Sequence, residues 1–99
     1  MSKPESRLTL LSELEHLLRQ RKTDLPEGSY TSTLFKKGLD TIVQKVGEES
    51  VEVIIAAKNR DREETVYESA DLIYHLLVML VESDIPLDEV LAELEKRRS

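Results

Sequence analysis

Leucine recurs at three- and four-residue intervals near the start of the chain, at Leu8, Leu11, Leu14, Leu17 and Leu18. That spacing follows one face of a helix and predicts an amphipathic helix from Glu5 to about Gln20, with Pro4 in its first turn. The pattern stops between Arg21 and Gly28, where Pro26, Glu27 and Gly28 mark a loop. Ser29 suits the N-cap of a short helix carrying Tyr30, Leu34 and Phe35, which Gly38 ends. A second long helix is expected from Leu39 to about Asn59, and Asn59-Arg60-Asp61 turns the chain. Asp61 followed by Glu64 reads as a capping box opening a third long helix, which runs to about Ser83. Beyond Asp84-Ile85-Pro86, a last short helix takes Leu87, Val90, Leu91 and Leu94. Its final turn, Lys96-Arg97-Arg98, is basic, as the helix dipole favours. With no repeat, low-complexity tract or second domain, residues 1–99 predict a single all-α domain, a bundle of about four to five helices.

Within the third long helix, Leu76-Leu77-Val78-Met79-Leu80-Val81 is apolar all round, which implies burial on every side. The helices of one chain are too few to cover it, so a homodimer is expected. Composition agrees with long helices, since the 99 residues include only three Gly and three Pro and are 39% hydrophobic. A chain this short buries one modest core, which a dimer interface enlarges.

The net charge of -6 argues against nucleic-acid binding through a general basic surface. It leaves room for a phosphate-bearing small molecule whose charge a bound cation meets locally. Absence of Cys excludes a disulfide framework, a thiolate zinc site and a cysteine nucleophile. No apolar run reaches the roughly 18–20 residues that a membrane span requires, and no signal-peptide h-region is present. The expectation is a cytoplasmic protein with no membrane association.

Five carboxylates, Glu48, Glu49, Glu52, Glu68 and Asp71, break the apolar pattern of the two longest helices. At about 100° per residue, Lys45, Glu48, Glu49 and Glu52 share one sector of the second long helix. Ile42, Val46, Val53 and Ala57 lie on one side of it, Val51 and Ile55 on the other. On the next helix Glu64, Glu68, Asp71 and His75 form a narrow stripe at i, i+4, i+7 and i+11. Surface acids usually pair with bases along a solvated helix, but here the nearby bases are few. Two unit charges about 5 Å apart repel by roughly 3 kcal/mol at an effective dielectric near 20. A cation relieves that repulsion, and an oxygen-only donor set points to Mg²⁺, with Mn²⁺ as a substitute. A di-iron carboxylate centre would want two E-x-x-H pairs. The one present, Glu13 to His16, lies on another helix, so that reading is rejected. His75 is assigned to packing or to support of the acids ahead of ligation.

Lys45-Val46-Gly47-Glu48-Glu49-Ser50-Val51-Glu52, followed by Glu68-Ser69-Ala70-Asp71, resembles the E-E-x-x-E … E-x-x-D signature of the all-α NTP pyrophosphohydrolase superfamily (the MazG-like fold). Pro26-Glu27-Gly28-Ser29-Tyr30-Thr31, Ala56-Ala57-Lys58-Asn59 and Ala70-Asp71-Leu72-Ile73-Tyr74-His75-Leu76-Leu77 narrow the resemblance to the phosphoribosyl-ATP pyrophosphatases of histidine biosynthesis, over roughly Leu8 to Leu94. Thr41 departs from the many relatives that carry a basic residue there. The zinc-binding cyclohydrolase domain often fused to such proteins has no counterpart in this Cys-free sequence.

The resemblance implies hydrolysis of the α–β phosphoanhydride of phosphoribosyl-ATP to phosphoribosyl-AMP and pyrophosphate. It implies Glu49, Glu52, Glu68 and Asp71 as metal ligands, and Glu48 as a further ligand or the carboxylate that orients the attacking water. Lys45 meets a phosphate or restrains Glu49, or only forms an intrahelical ion pair. Ser29, Thr31 and Ser32 either receive an anion at a helix start or cap that helix. Arg21, Lys22, Lys36 and Lys37 are candidates for the 5′-phosphate of the additional ribose, or solvated bases. Lys58 and Asn59 are candidate substrate contacts. Adenine stacking falls to an aromatic, with Phe35 and Tyr74 assigned first to the core. Two rival readings are a house-cleaning (d)NTP pyrophosphohydrolase of the same superfamily and a non-enzymatic helical dimerisation module.

Overall fold

A computed structural model of the chain describes Arg7 and residues 9–98. Five helices follow one another: α1 (Leu10–Asp24), α2 (Tyr30–Lys37), α3 (Leu39–Lys58), α4 (Arg62–Glu82) and α5 (Leu87–Arg97). No strand occurs among the described residues, and the all-α expectation holds. The expected roles of Pro4, Glu5 and Leu8 in the first helix lie outside the described residues.

Local chemistry sets most of the boundaries. Ser29 Oγ accepts a hydrogen bond from the Ser32 amide at 3.2 Å, and Asp61 Oδ1 accepts one from the Glu64 amide at 3.1 Å. Each occupies one of the free donors that every helix start presents. Gly38, at φ +96°, separates α2 from α3 in a conformation that L side chains rarely adopt.

The first helix departs from expectation, ending at Asp24 rather than near Gln20. Arg21 and Lys22 belong to it as half-buried residues. Lys22 Nζ donates to the carbonyls of Val81 and Glu82, each at 3.3 Å, which gives the extra turn a tertiary partner. Leu25 then closes α1 in the left-handed region, at φ +46°, and donates its amide to Arg21 O. A leucine pays a steric penalty there. Packing of its side chain against the core offsets that penalty.

The buried cluster takes Leu18 from α1, Leu34 and Phe35 from α2, Ile42 from α3, Leu77, Val78 and Val81 from α4, and Leu87 from α5. Every α3 and α4 member comes from the parts of those helices far from the turn that joins them. Nearer the turn, α3 and α4 pair chiefly with each other. Val51, Ile54, Ile55, Val66 and Tyr67 are exposed there. The core thus anchors one end of an antiparallel hairpin and leaves the other end, which carries the acids, uncovered.

Candidate functional site

The hairpin register brings the two acid groups together. Glu52 and Glu68 lie eight residues either side of Arg60, and Glu49 and Asp71 lie eleven either side. In a two-helix antiparallel pair, residues equidistant from the turn stand opposite each other. Ligand atoms of Glu49, Asp71 and His75 accordingly fall within 4.8 Å of one another. Glu52 and Glu68 line an adjoining cleft of about 100 Å³ with Ile55, Ala56, Asn59, Asp61 and Glu64.

Burial grades the acids. Glu49 is 8% exposed, Glu68 and Asp71 are half-buried, and Glu48 and Glu52 are exposed. Burial pushes the Glu49 carboxyl above the ordinary range, and the hydrogen bond and negative charge of Asp71 push it the same way. Lys45 opposes that rise. Desolvation also raises Glu68, helped by the charges of Glu52, Asp71 and Glu64. Glu48 goes the other way, held low by hydrogen bonds from Gln44 at 3.2 Å and from Lys45. Lys45 Nζ lies 3.4 Å from Glu48 and 3.6 Å from Glu49, so it bridges the outer acid to the inner one.

The other residues singled out from the sequence are dispersed. Ser29 is engaged as the α2 cap. Thr31 is buried, and its hydroxyl is hydrogen-bonded to that of Tyr74. Lys36 is exposed in the last turn of α2, and Lys58 is exposed at the end of α3. Asn59 joins Glu52 and Glu68 in the cleft. Arg21 is half-buried near the end of α1, and neighbouring Lys22 is committed to the end of α4. Among the aromatics, Phe35 lies in the core, and Tyr74 packs against it.

Periodicity alone missed the contact of Tyr30 with the acidic centre. Its hydroxyl lies 2.9 Å from His75 Nε2, and the His75 Nδ1–H donates to the Asp71 carbonyl at 2.8 Å. Tyr30 and His75 stand 45 residues apart, and no local pattern links them. Asp61 and Glu64 were read as a cap and also border the cleft.

Clustered carboxylate oxygens, two helices and no thiolate make a hard-donor set suited to a divalent ion that also takes phosphate oxygens. Fold and centre together define the class: an all-α protein built around a carboxylate centre on an antiparallel helix pair. A family model described as phosphoribosyl-ATP pyrophosphohydrolase matches residues 11–98, and the chain belongs to that family.

Relatives support the assignment. Over 93 residues the chain is 56% identical to the histidine biosynthesis bifunctional protein HisIE of Bacillus subtilis (strain 168), covering 94% of this chain and 44% of that protein. It is 57% identical over 91 residues to the HisIE protein of Halalkalibacterium halodurans, covering 92% of this chain and 43% of that one. The chain thus spans less than half the length of these bifunctional relatives. It is also 54% identical over 92 residues to the phosphoribosyl-ATP pyrophosphatase of Leptospira biflexa, covering 93% of this chain and all of that protein.

Proposed function

We propose that the chain hydrolyses the α–β phosphoanhydride of phosphoribosyl-ATP, releasing phosphoribosyl-AMP and pyrophosphate in histidine biosynthesis, with Mg²⁺ held by its acids and with a homodimer as the working unit. The observation that carries this reading is the meeting of Glu49 with Asp71 beside the cleft lined by Glu52 and Glu68, in a chain of this family.

Glu49, Glu52, Glu68 and Asp71 hold the metal. When bound, the ion supplies an acidified water and absorbs negative charge on the phosphates. The protein residues orient the reactants and manage charge. Glu49, the most buried of the acids, faces Asp71 across the helix pair. Lys45 balances the negative charge left on Glu48 and Glu49, and Glu48 stands outside the cluster as an orienting carboxylate. Asn59, in the cleft, and Lys58, exposed beside it in sequence at the end of α3, contact the substrate. Ser29 serves that side by setting the start of α2, and Thr31 by tying α2 to α4. Arg21 and Lys36 offer positive charge farther out.

The deciding assay incubates the chain with phosphoribosyl-ATP or with simple dNTPs, with Mg²⁺ or with a chelator, and identifies the phosphate product. Pyrophosphate formed from phosphoribosyl-ATP and only with metal supports the proposal. Equal turnover of dNTPs would favour a house-cleaning nucleotide hydrolase, and inactivity on all substrates a dimerisation module. Glu52→Gln is expected to lower turnover by at least 100-fold while leaving the helical CD signal intact. A fully active Glu52→Gln protein would sink the metal assignment.

A further inference from the structure

His75 is 2% exposed, and both its ring nitrogens are engaged. Nδ1 lies 2.8 Å from the Asp71 carbonyl oxygen and 3.5 Å from Asp71 Oδ1. A carbonyl oxygen only accepts, so Nδ1 carries the hydrogen. In the neutral ring, Nε2 then accepts from the Tyr30 hydroxyl at 2.9 Å. No lone pair is left for a cation, although the ring lies within the same tight group as Glu49 and Asp71.

The surroundings fix the ring further. Tyr30 and Tyr74 meet it edge-on, with centroids 5.9 Å and 5.7 Å away. The hydroxyl bond between Thr31 and Tyr74 ties α2 to α4 one position along from the bond between Tyr30 and His75. Two adjacent residues of α2 are thus fastened to two adjacent residues of α4, directly behind Asp71.

We propose that His75 is a positioning residue and not a metal ligand: the Tyr30 hydroxyl fixes its tautomer, and the Nδ1–H, placed between the carbonyl and carboxylate of Asp71, sets the direction in which Asp71 presents its free oxygen. This rests on the reading of Glu49 and Asp71 as ligands. Hydrogen bonds behind a ligand reduce the orientations it must lose on binding metal, and removing them typically weakens metal affinity by about 10–100-fold.

The test uses the full chain with Mg²⁺ alone. In ¹⁵N NMR, His75 is expected to show a protonated Nδ1 and an unprotonated, hydrogen-bonded Nε2, and saturation with Mg²⁺ leaves both resonances in place. By calorimetry, Tyr30→Phe is expected to bind Mg²⁺ about tenfold more weakly while keeping the wild-type CD spectrum. A large Mg²⁺-induced shift of either ring nitrogen would make His75 a ligand and overturn the proposal. So would wild-type Mg²⁺ affinity in Tyr30→Phe. The NMR arm needs no variant and decides the matter even if Tyr30→Phe folds poorly. If the unaltered chain binds no Mg²⁺, the metal reading itself fails. If it binds normally and Tyr30→Phe matches it, only the role of His75 fails.

Discussion

Glu48 and Glu49 are neighbours in one helical sector, yet the fold treats them oppositely. Glu49 points towards α4 and is buried against Asp71, whereas Glu48 stays in solvent with Gln44 and Lys45. The helical wheel put both acids on the metal side. It could not separate them, because the difference depends on the direction from which α4 approaches. The consequence appears in stability. A carboxyl whose pKa is raised in the folded state binds its proton more tightly there than in the unfolded chain, so stability falls as pH rises. For Glu49 the penalty is absent below the unfolded value of about 4.3, grows above it, and is complete once pH passes the folded value. Glu68 adds in the same direction. Glu48, with its lowered carboxyl, contributes stability above its unfolded value that is lost as pH falls. Metal-free protein is therefore expected to show a component of Tm that falls as pH rises above the unfolded carboxyl value, which Glu49→Gln removes and millimolar Mg²⁺ offsets. Glu49→Gln in chelator at pH 7 should melt above wild type, by roughly 4–8 °C for each kcal/mol relieved. Differential scanning fluorimetry of the two proteins, with EDTA or Mg²⁺, checks both outcomes; equal melting in EDTA at pH 7 would refute the burial argument.

At the scale of elements, what was readable from sequence was what is local. Ser29 and Asp61 cap helices three residues away, and both roles followed from residue type and spacing. The placement of α5 did not, because Pro86 at its start offers no side-chain acceptor. That acceptor comes from Glu15, whose Oε2 accepts from the Leu87 amide at 2.7 Å across 72 residues of sequence. Two turns further along α1, Lys22 meets the carbonyl end of α4. One helix thus presents a carboxylate to the positive end of α5 and an ammonium to the negative end of α4, each matched to the dipole it faces. The same long-range partner explains why α1 continues beyond Gln20. Glu15→Ala is expected to cost about 1–2 kcal/mol and to speed amide exchange selectively in α5, since it removes a cap that no local residue replaces. Hydrogen exchange resolved by helix measures this directly, and unchanged α5 protection would count against the cap.

At the scale of the molecule, the core holds one end of the α3–α4 hairpin and leaves apolar surface exposed at the other. Ile54, Val66 and Tyr67 are 59%, 64% and 66% exposed. Ile54 and Val66 stand two positions from Glu52 and Glu68, about 200° round their helices, so this apolar face points away from the acids. A second apolar surface, a groove of about 400 Å³ lined by Leu11, Ile73, Leu80, Leu91 and neighbouring residues, lies between α1, α4 and α5. The sequence assigned the uncovered apolar surface to Leu76–Val81, where Leu77, Val78 and Val81 are buried within the chain while Leu76, Met79 and Leu80 are half-buried and line the groove. A further apolar face, not read from the sequence, lies nearer the turn, because the core reaches only the far end of the hairpin. The hairpin face is therefore the expected dimer interface. Light scattering should give about twice the chain mass of 11.4 kDa, and Tm should rise with protein concentration, as mass action requires. Ile54→Glu places a charge in that interface and should return the mass of a single chain, with the concentration dependence lost. Leu91→Glu, in the groove, should remain dimeric. If Leu91→Glu gave the monomer and Ile54→Glu did not, the groove would be the interface.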